Sequence, residues 1–106
     1  MNSIFSGTKD YEIFLDNHVV IYLHDGRYMY GILRSFDQFN NITLEQTVCR
    51  IFIDDEYAER RLGLHVIRGE NIILIGVSQI KLRDLVKREY EYVENKLSET
   101  IRNEKL

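Results

Sequence analysis

The chain has 106 residues, 44% of them hydrophobic and 29% charged, with a formal net charge of -3. This is the length and balance of one globular domain, and a net negative charge excludes a protein that coats duplex phosphates through a global basic field. No apolar run approaches the roughly 20 residues of a membrane span, and the single cysteine, Cys49, excludes an intramolecular disulfide and fits a reducing compartment.

The first ten residues, MNSIFSGTKD, lack the basic start and apolar core of a signal peptide. Thr8 to Asp16 reads as a short helix: Thr8 caps it, Asp10 lies in the first turn, and Tyr11, Phe14 and Leu15 share a face. Five strands follow, at about 18–24, 27–36, 42–53, 63–68 and 72–78. Val19, Ile21 and Leu23 alternate with Val20 and Tyr22 in the first. Asp25-Gly26 is a hairpin turn, because glycine accepts the positive φ such turns need. Gly31, inside the second strand, predicts a sharp bend or a close backbone approach. Asp54 to Leu62, DDEYAERRL, reads as a polar, solvated loop. Gly69-Glu70-Asn71 is a tight turn. Small all-β domains protect their edges by closing or nearly closing into a barrel, which raises the question of where the last strand's free edge pairs.

From about Gln79 the period changes to spacings of three and four, with Leu82, Val86, Tyr90, Val93, Leu97 and Ile101 on one helical stripe. Asp84 with Arg88 and Lys87 with Glu91 are i,i+4 pairs on such a helix. The stripe needs burial, on its own domain or on a partner. The tail is near neutral in charge, with seven Lys/Arg and six Asp/Glu from Ile80 to Leu106, whereas the body is acidic. The chain thus divides into a β domain over 1–79 and a helical extension over 80–106.

No enzyme constellation assembles. His18, His24 and His65 are scattered over strands, and one cysteine makes no cysteine-rich metal site. There is no phosphate-cradling glycine loop and no nucleophile elbow. The expectation is no catalysis, no metal and no cofactor. Chemistry concentrates instead in two turns, Asp37-Gln38-Phe39-Asn40-Asn41 and Arg68-Gly69-Glu70-Asn71. Each alone is ordinary turn chemistry. Together they offer an exposed aromatic and a guanidinium that sandwich a flat base, and an amide that reads its edge.

These residues resemble the Sm and like-Sm (LSm) family. Its first motif, Asp-Gly, a glycine in a bent strand, then Asp-x-apolar-x-Asn, is present as Asp25-Gly26, Gly31, Asp37, Phe39 and Asn41. Its second, Arg-Gly-x-Asn, is Arg68-Gly69-Glu70-Asn71. The resemblance covers about Thr8 to Ile80. It implies the Sm fold: a mostly β domain in which an N-terminal helix precedes a strongly bent five-stranded antiparallel sheet, an open barrel, here with a C-terminal helix added. It also implies a ring, commonly of seven LSm subunits, in which the fourth strand of one subunit pairs with the fifth of the next. By that resemblance Phe39 stacks on a base of uracil-rich single-stranded RNA, Arg68 covers its other face and Asn41 bonds its edge. Asp37 then orients the loop and Gly69 admits a close backbone approach.

A finer resemblance, carried by LRSFDQFNNITLEQTVCRI and EYAERRLGLHVIRGENIILIG, is to the subunit type that distinguishes the cytoplasmic heptamer. It implies binding to the 3′ ends of oligoadenylated or U-rich mRNA, a Pat-type decapping activator as partner, and promotion of decapping and 5′-to-3′ decay in cytoplasmic P-bodies. Two alternatives stand beside it: a nuclear ring binding the U6 snRNA 3′ end in splicing, and a scaffold subunit that docks proteins with little RNA affinity. Asn40 departs from the family pattern, and so does His65, where an aromatic is frequent. In subunits of the cytoplasmic type the C-terminal extension lies across one face of the ring, a role open to Leu82 to Ile101.

Overall fold

A computed structural model describes residues 4–6, 11–77 and 82–104. The elements in chain order are β1 (Ile4–Ser6), a 3-10 turn at Glu12–Phe14, β2 (His18–Leu23), β3 (Tyr28–Phe36), β4 (Ile42–Ile53), β5 (Glu56–Ile67), a second 3-10 turn at Gly69–Asn71, β6 (Ile72–Val77), β7 (Val86–Lys87) and α1 (Tyr90–Glu104). They form one sheet in the order β1-β6-β2-β3-β4-β5-β7. All neighbours are antiparallel except β5 and β7.

Alternation decides the inner face. Val19, Ile21 and Leu23 of β2, Met29 and Leu33 of β3, Ile42, Leu44 and Cys49 of β4, Ile67 of β5 and Ile75 of β6 are buried in one cluster. Tyr11 and Phe14 close over that cluster. The bend occurs where three irregularities meet. Gln46 (φ 54°) lies at a shift of register between β4 and its partners, beside Gly63 (φ 67°) of β5. A Cβ on Gly31 would sit 2.9 Å from the Glu45 carbonyl oxygen, so β3 and β4 approach closely only because that position is bare. The Asp25-Gly26 turn has Gly26 at φ 88°, and Asp25 accepts from the Arg27 amide at 3.2 Å and from Arg27 Nε at 2.7 Å.

Three expectations need correction. The segment 54–62 is not a loop: Asp54-Asp55 alone turns, with Asp54 at φ 52°, and β5 begins at Glu56. Its polar residues deceive because they have partners. Glu56 is buried and accepts from Arg88 Nε and Lys96 Nζ, each at 2.6 Å. Glu59 accepts from Arg50 Nε and Lys87 Nζ, each at 3.0 Å. Ala58 packs under Val93 and Ile51 in a second small core.

The C-terminal helix begins at Tyr90, eight residues after Leu82, where its stripe starts. Val86 and Lys87 instead add a short parallel strand to the start of β5. Lys87 and Arg88 bond to Glu59 and Glu56 of the adjacent β5, so pairing between distant parts of the chain replaces the two i,i+4 pairs. The part of the stripe that is helical docks on the domain's own sheet, with Val93 fully buried and Tyr90 and Leu97 packed beside it, while Ile101 is exposed. At the N-terminus Thr8 and Asp10 lie outside the described residues, and the remainder of the expected helix is a single 3-10 turn ending before Leu15.

Candidate nucleic-acid interface

The loop between β3 and β4 is built around one carboxylate. Asp37 Oδ1 accepts from the amides of Phe39 (2.8 Å) and Asn41 (3.0 Å), and Oδ2 accepts from Asn41 Nδ2 (2.9 Å). The backbone closes around it: the Asp37 amide donates to the Asn41 carbonyl at 3.1 Å, and the Asn40 amide donates to the Asp37 carbonyl at 3.0 Å. The hydrogen bond from the Asn41 side chain, with those from the two amides, holds the Asp37 carboxyl below its ordinary pKa. Asn40 sits at φ 63°, a conformation that asparagine tolerates better than most residues. Its place in the motif is therefore explained by the turn alone.

Asn41 also joins the two loops. Its Oδ1 accepts from the Gly69 amide at 2.9 Å. Gly69 fits only as glycine: a Cβ there would meet the Phe39 carbonyl oxygen at 2.5 Å and the Asn40 carbonyl oxygen at 2.8 Å. Both obstacles are backbone, so no rotamer change relieves them. Asn71 completes the second turn, with its amide bonded to the Arg68 carbonyl and its own carbonyl accepting from the His24 amide.

Phe39 is thereby left 71% exposed, an unusual position for a phenyl ring. Together with Asn41, Arg68 and Glu70 it lines a recess of about 430 Å³. Arg68 is equally open, its guanidinium 3.6 Å from the Glu70 carboxylate, with both side chains more than 70% exposed. The five residues singled out in the sequence, Asp37, Phe39, Asn41, Arg68 and Gly69, thus lie in one patch although 28 positions separate Asn41 from Gly69. Glu70, a plain turn residue in the sequence, is the addition: it lines the recess and pairs with Arg68, a contact that no local pattern marks. Neither α1 nor β7 contributes to the lining.

Chemically the patch offers an open aromatic face, an exposed cation, and an asparagine with two of its four bonding sites spent on the loops. One Nδ2 hydrogen and one Oδ1 lone pair remain. Among the described residues no group of three or more His, Cys, Asp or Glu is placed to hold a metal ion. No helix among them is long and apolar enough to cross a membrane.

Comparison with known proteins gives a consistent set of relatives. Residues 9–77 match the LSM domain family model. The chain is 43% identical over 76 residues to the LSM1-LSM7 complex subunit lsm1 of Schizosaccharomyces pombe, covering 71% of this chain and 54% of that one. It is 34% identical over 70 residues to the human U6 snRNA-associated Sm-like protein LSm8, covering 65% and 73%. Among solved structures, a heptameric archaeal Sm protein superposes with a TM-score of 0.53 at 34% identity, over 64% of this chain and 94% of that one. The chain spans about half the length of the first of these relatives.

Proposed function

The chain belongs to the LSM-domain family, and from that premise we propose that it is a non-catalytic subunit of an LSm ring that holds single-stranded, uracil-rich RNA at the Phe39–Arg68 patch. One observation carries the reading: Asn41 ties Asp37 to Gly69, so that an otherwise unexplained exposed phenyl ring stands beside an exposed guanidinium. A base stacks on Phe39 and Arg68 closes over it, with the exposed Glu70 carboxylate competing for the guanidinium. The remaining Asn41 N–H and lone pair match the acceptor and donor that a uracil edge presents. Asp37 and Gly69 act by placing these groups.

The ring itself is supported by two apolar edges. Leu64 and Val66 of β5 are 69% and 61% exposed, and Ile73, Leu74 and Val77 of β6 are also open. A β5 edge on one subunit and a β6 edge on the next form a heterologous contact that closes by rotation. The heptameric archaeal relative supports that arrangement.

The finer assignment is to the LSM1-type ring, acting on mRNA 3′ ends that are oligoadenylated or U-rich, with a Pat-type decapping activator, in cytoplasmic mRNA decay. Phe39 and the greater identity to the LSM1 subunit, 43% against 34% for LSm8, support it over the nuclear ring. The 1–79 and 80–106 division belongs to the same proposal, the first part forming the ring and the second serving as an accessory.

The test is Phe39→Ala combined with Arg68→Ala in the assembled ring. Loss of base stacking, about 1–3 kcal/mol, predicts oligouridylate affinity reduced about 5- to 150-fold with the ring intact. Unchanged affinity in an intact ring selects the scaffold reading instead. Identification of co-purifying proteins separates decapping partners from spliceosomal ones.

A further inference from the structure

The two edges just described are not in the same state. On β5 only Glu56 and Tyr57 have an outer neighbour, the short β7, and no described strand pairs with the outer edge beyond them. On β6 both sides are taken. β2 pairs one side, and β1 pairs the other through Ile4↔Val77, Phe5↔Gly76 and Ser6↔Ile75. A strand has two hydrogen-bonding edges and no more, so no further strand adds to Ile75–Val77 while β1 is there.

We propose that β1 is a placeholder: it covers the β6 edge of the free subunit and is displaced when the neighbouring subunit's β5 pairs there. This rests on the ring reading above. The geometry favours exchange over permanence. β1 contributes three residues to an edge that is six residues long, and among the described residues Ile72 to Leu74 have no outer strand partner. An incoming β5 is twelve residues long and carries Leu64 and Val66 toward the apolar residues of β6. It therefore satisfies more of the ladder and buries more surface than β1 does. Until then a short self-strand protects the edge against indiscriminate pairing, a recurrent solution for exposed strands. The arrangement is directional. The β5 edge is ready at all times, the β6 edge only after β1 leaves, so free copies do not polymerise head to tail.

Amide hydrogen exchange on the full chain, free and in the ring assembled with the LSm-domain subunits that co-purify with it, tests this. In the free chain, the amides of Ile4–Ser6 and the outer amides of Ile75–Val77 are expected to be protected together. In the ring, Ile75–Val77 remain protected, the β5 edge becomes protected, and Ile4–Ser6 exchange freely. The Ile4→Pro, Phe5→Pro double substitution removes at least one N–H that faces β6 whichever way the strand is phased, since successive residues in a strand point opposite ways. It is expected to free the β6 amides in the isolated chain and to speed ring incorporation about five-fold or more. Equal protection of Ile4–Ser6 in free chain and ring overturns the placeholder, as does their free exchange in the isolated wild type. An unaltered incorporation rate in the double variant also overturns it. Protection of β1 in the free chain with no gain of protection at β5 in any complex sinks the ring reading itself, and with it the displacement.

Discussion

Gly69→Ala isolates the close approach of the two loops. The added methyl would lie 2.5 Å from the Phe39 carbonyl oxygen and 2.8 Å from that of Asn40. Ordinary carbon–oxygen contact begins near 3.4 Å, so the loops must part by roughly 1 Å. That separation breaks the 2.9 Å bond from the Gly69 amide to Asn41 Oδ1. A lost bond with a half-buried donor left behind costs about 1–3 kcal/mol. In urea, where m is about 1–3 kcal/mol/M for a chain of this size, the unfolding midpoint is expected to fall by about 1 M. The same gap opens between Phe39 and Arg68. A gap of 0.5–1 Å forfeits about a quarter to a half of a dispersion contact, so oligouridylate affinity in the ring is expected to fall by about 2- to 10-fold. Gly63→Ala is the control, since Gly63 has φ 67° and open space around it. It is expected to cost about 1–2 kcal/mol through conformation alone and to leave RNA affinity unchanged. A Gly69→Ala protein with wild-type midpoint and wild-type affinity would refute the claim that the loops depend on their contact.

Val93→Ala removes two methyl groups from a site with no exposure between Ile51 and Ala58, and is expected to cost about 2 kcal/mol by urea unfolding, with α1 exchanging its amides first. Glu56→Gln deletes the charge shared by Lys96 and Arg88; faster proteolysis of α1, with the β sheet retained, is the expected result on limited digestion. Lys96 and then Arg88 hold the Glu56 carboxyl below its ordinary value, so its contribution is complete only well above that value, from about pH 5, and lost as pH falls through the lowered pKa. Acid release of α1 should accordingly occur below about pH 4 and not between 5 and 8, followed by exchange or fluorescence. Burial raises the phenol of Tyr30 to about 12, and burial with the Cys49 contact does the same for Tyr90. These raised values stabilise the fold below about pH 10 and that contribution is lost as pH climbs toward 12, so an ultraviolet titration should show late tyrosines, Tyr30 and Tyr90 among them, coinciding with alkaline unfolding.

Much of this protein is legible from its sequence, for local reasons. Two-residue alternation marks β3 and β4, because one face of each is buried, while a run of β-branched residues marks β2, where Val19, Val20 and Ile21 are all buried. Asp25-Gly26 marks a turn because few residue pairs accept its backbone angles. The candidate patch is legible because Asp37, Asn41 and Gly69 are required by backbone geometry that tolerates few substitutes, while Phe39 is conspicuous as an aromatic in a turn. What the sequence could not decide depends on partners distant along the chain. DDEYAERRL looks like a solvated loop until Glu56 meets Arg88 and Lys96, and Glu59 meets Arg50 and Lys87. The stripe from Leu82 to Ile101 looks like one helix until Val86 and Lys87 find the start of β5. Ile4–Ser6 carries no strand signal of its own, and becomes a strand only because the edge of β6 lies open beside it. Local conformational preference and burial periodicity are written residue by residue; ion pairing and edge pairing exist only once the chain has brought their two halves together.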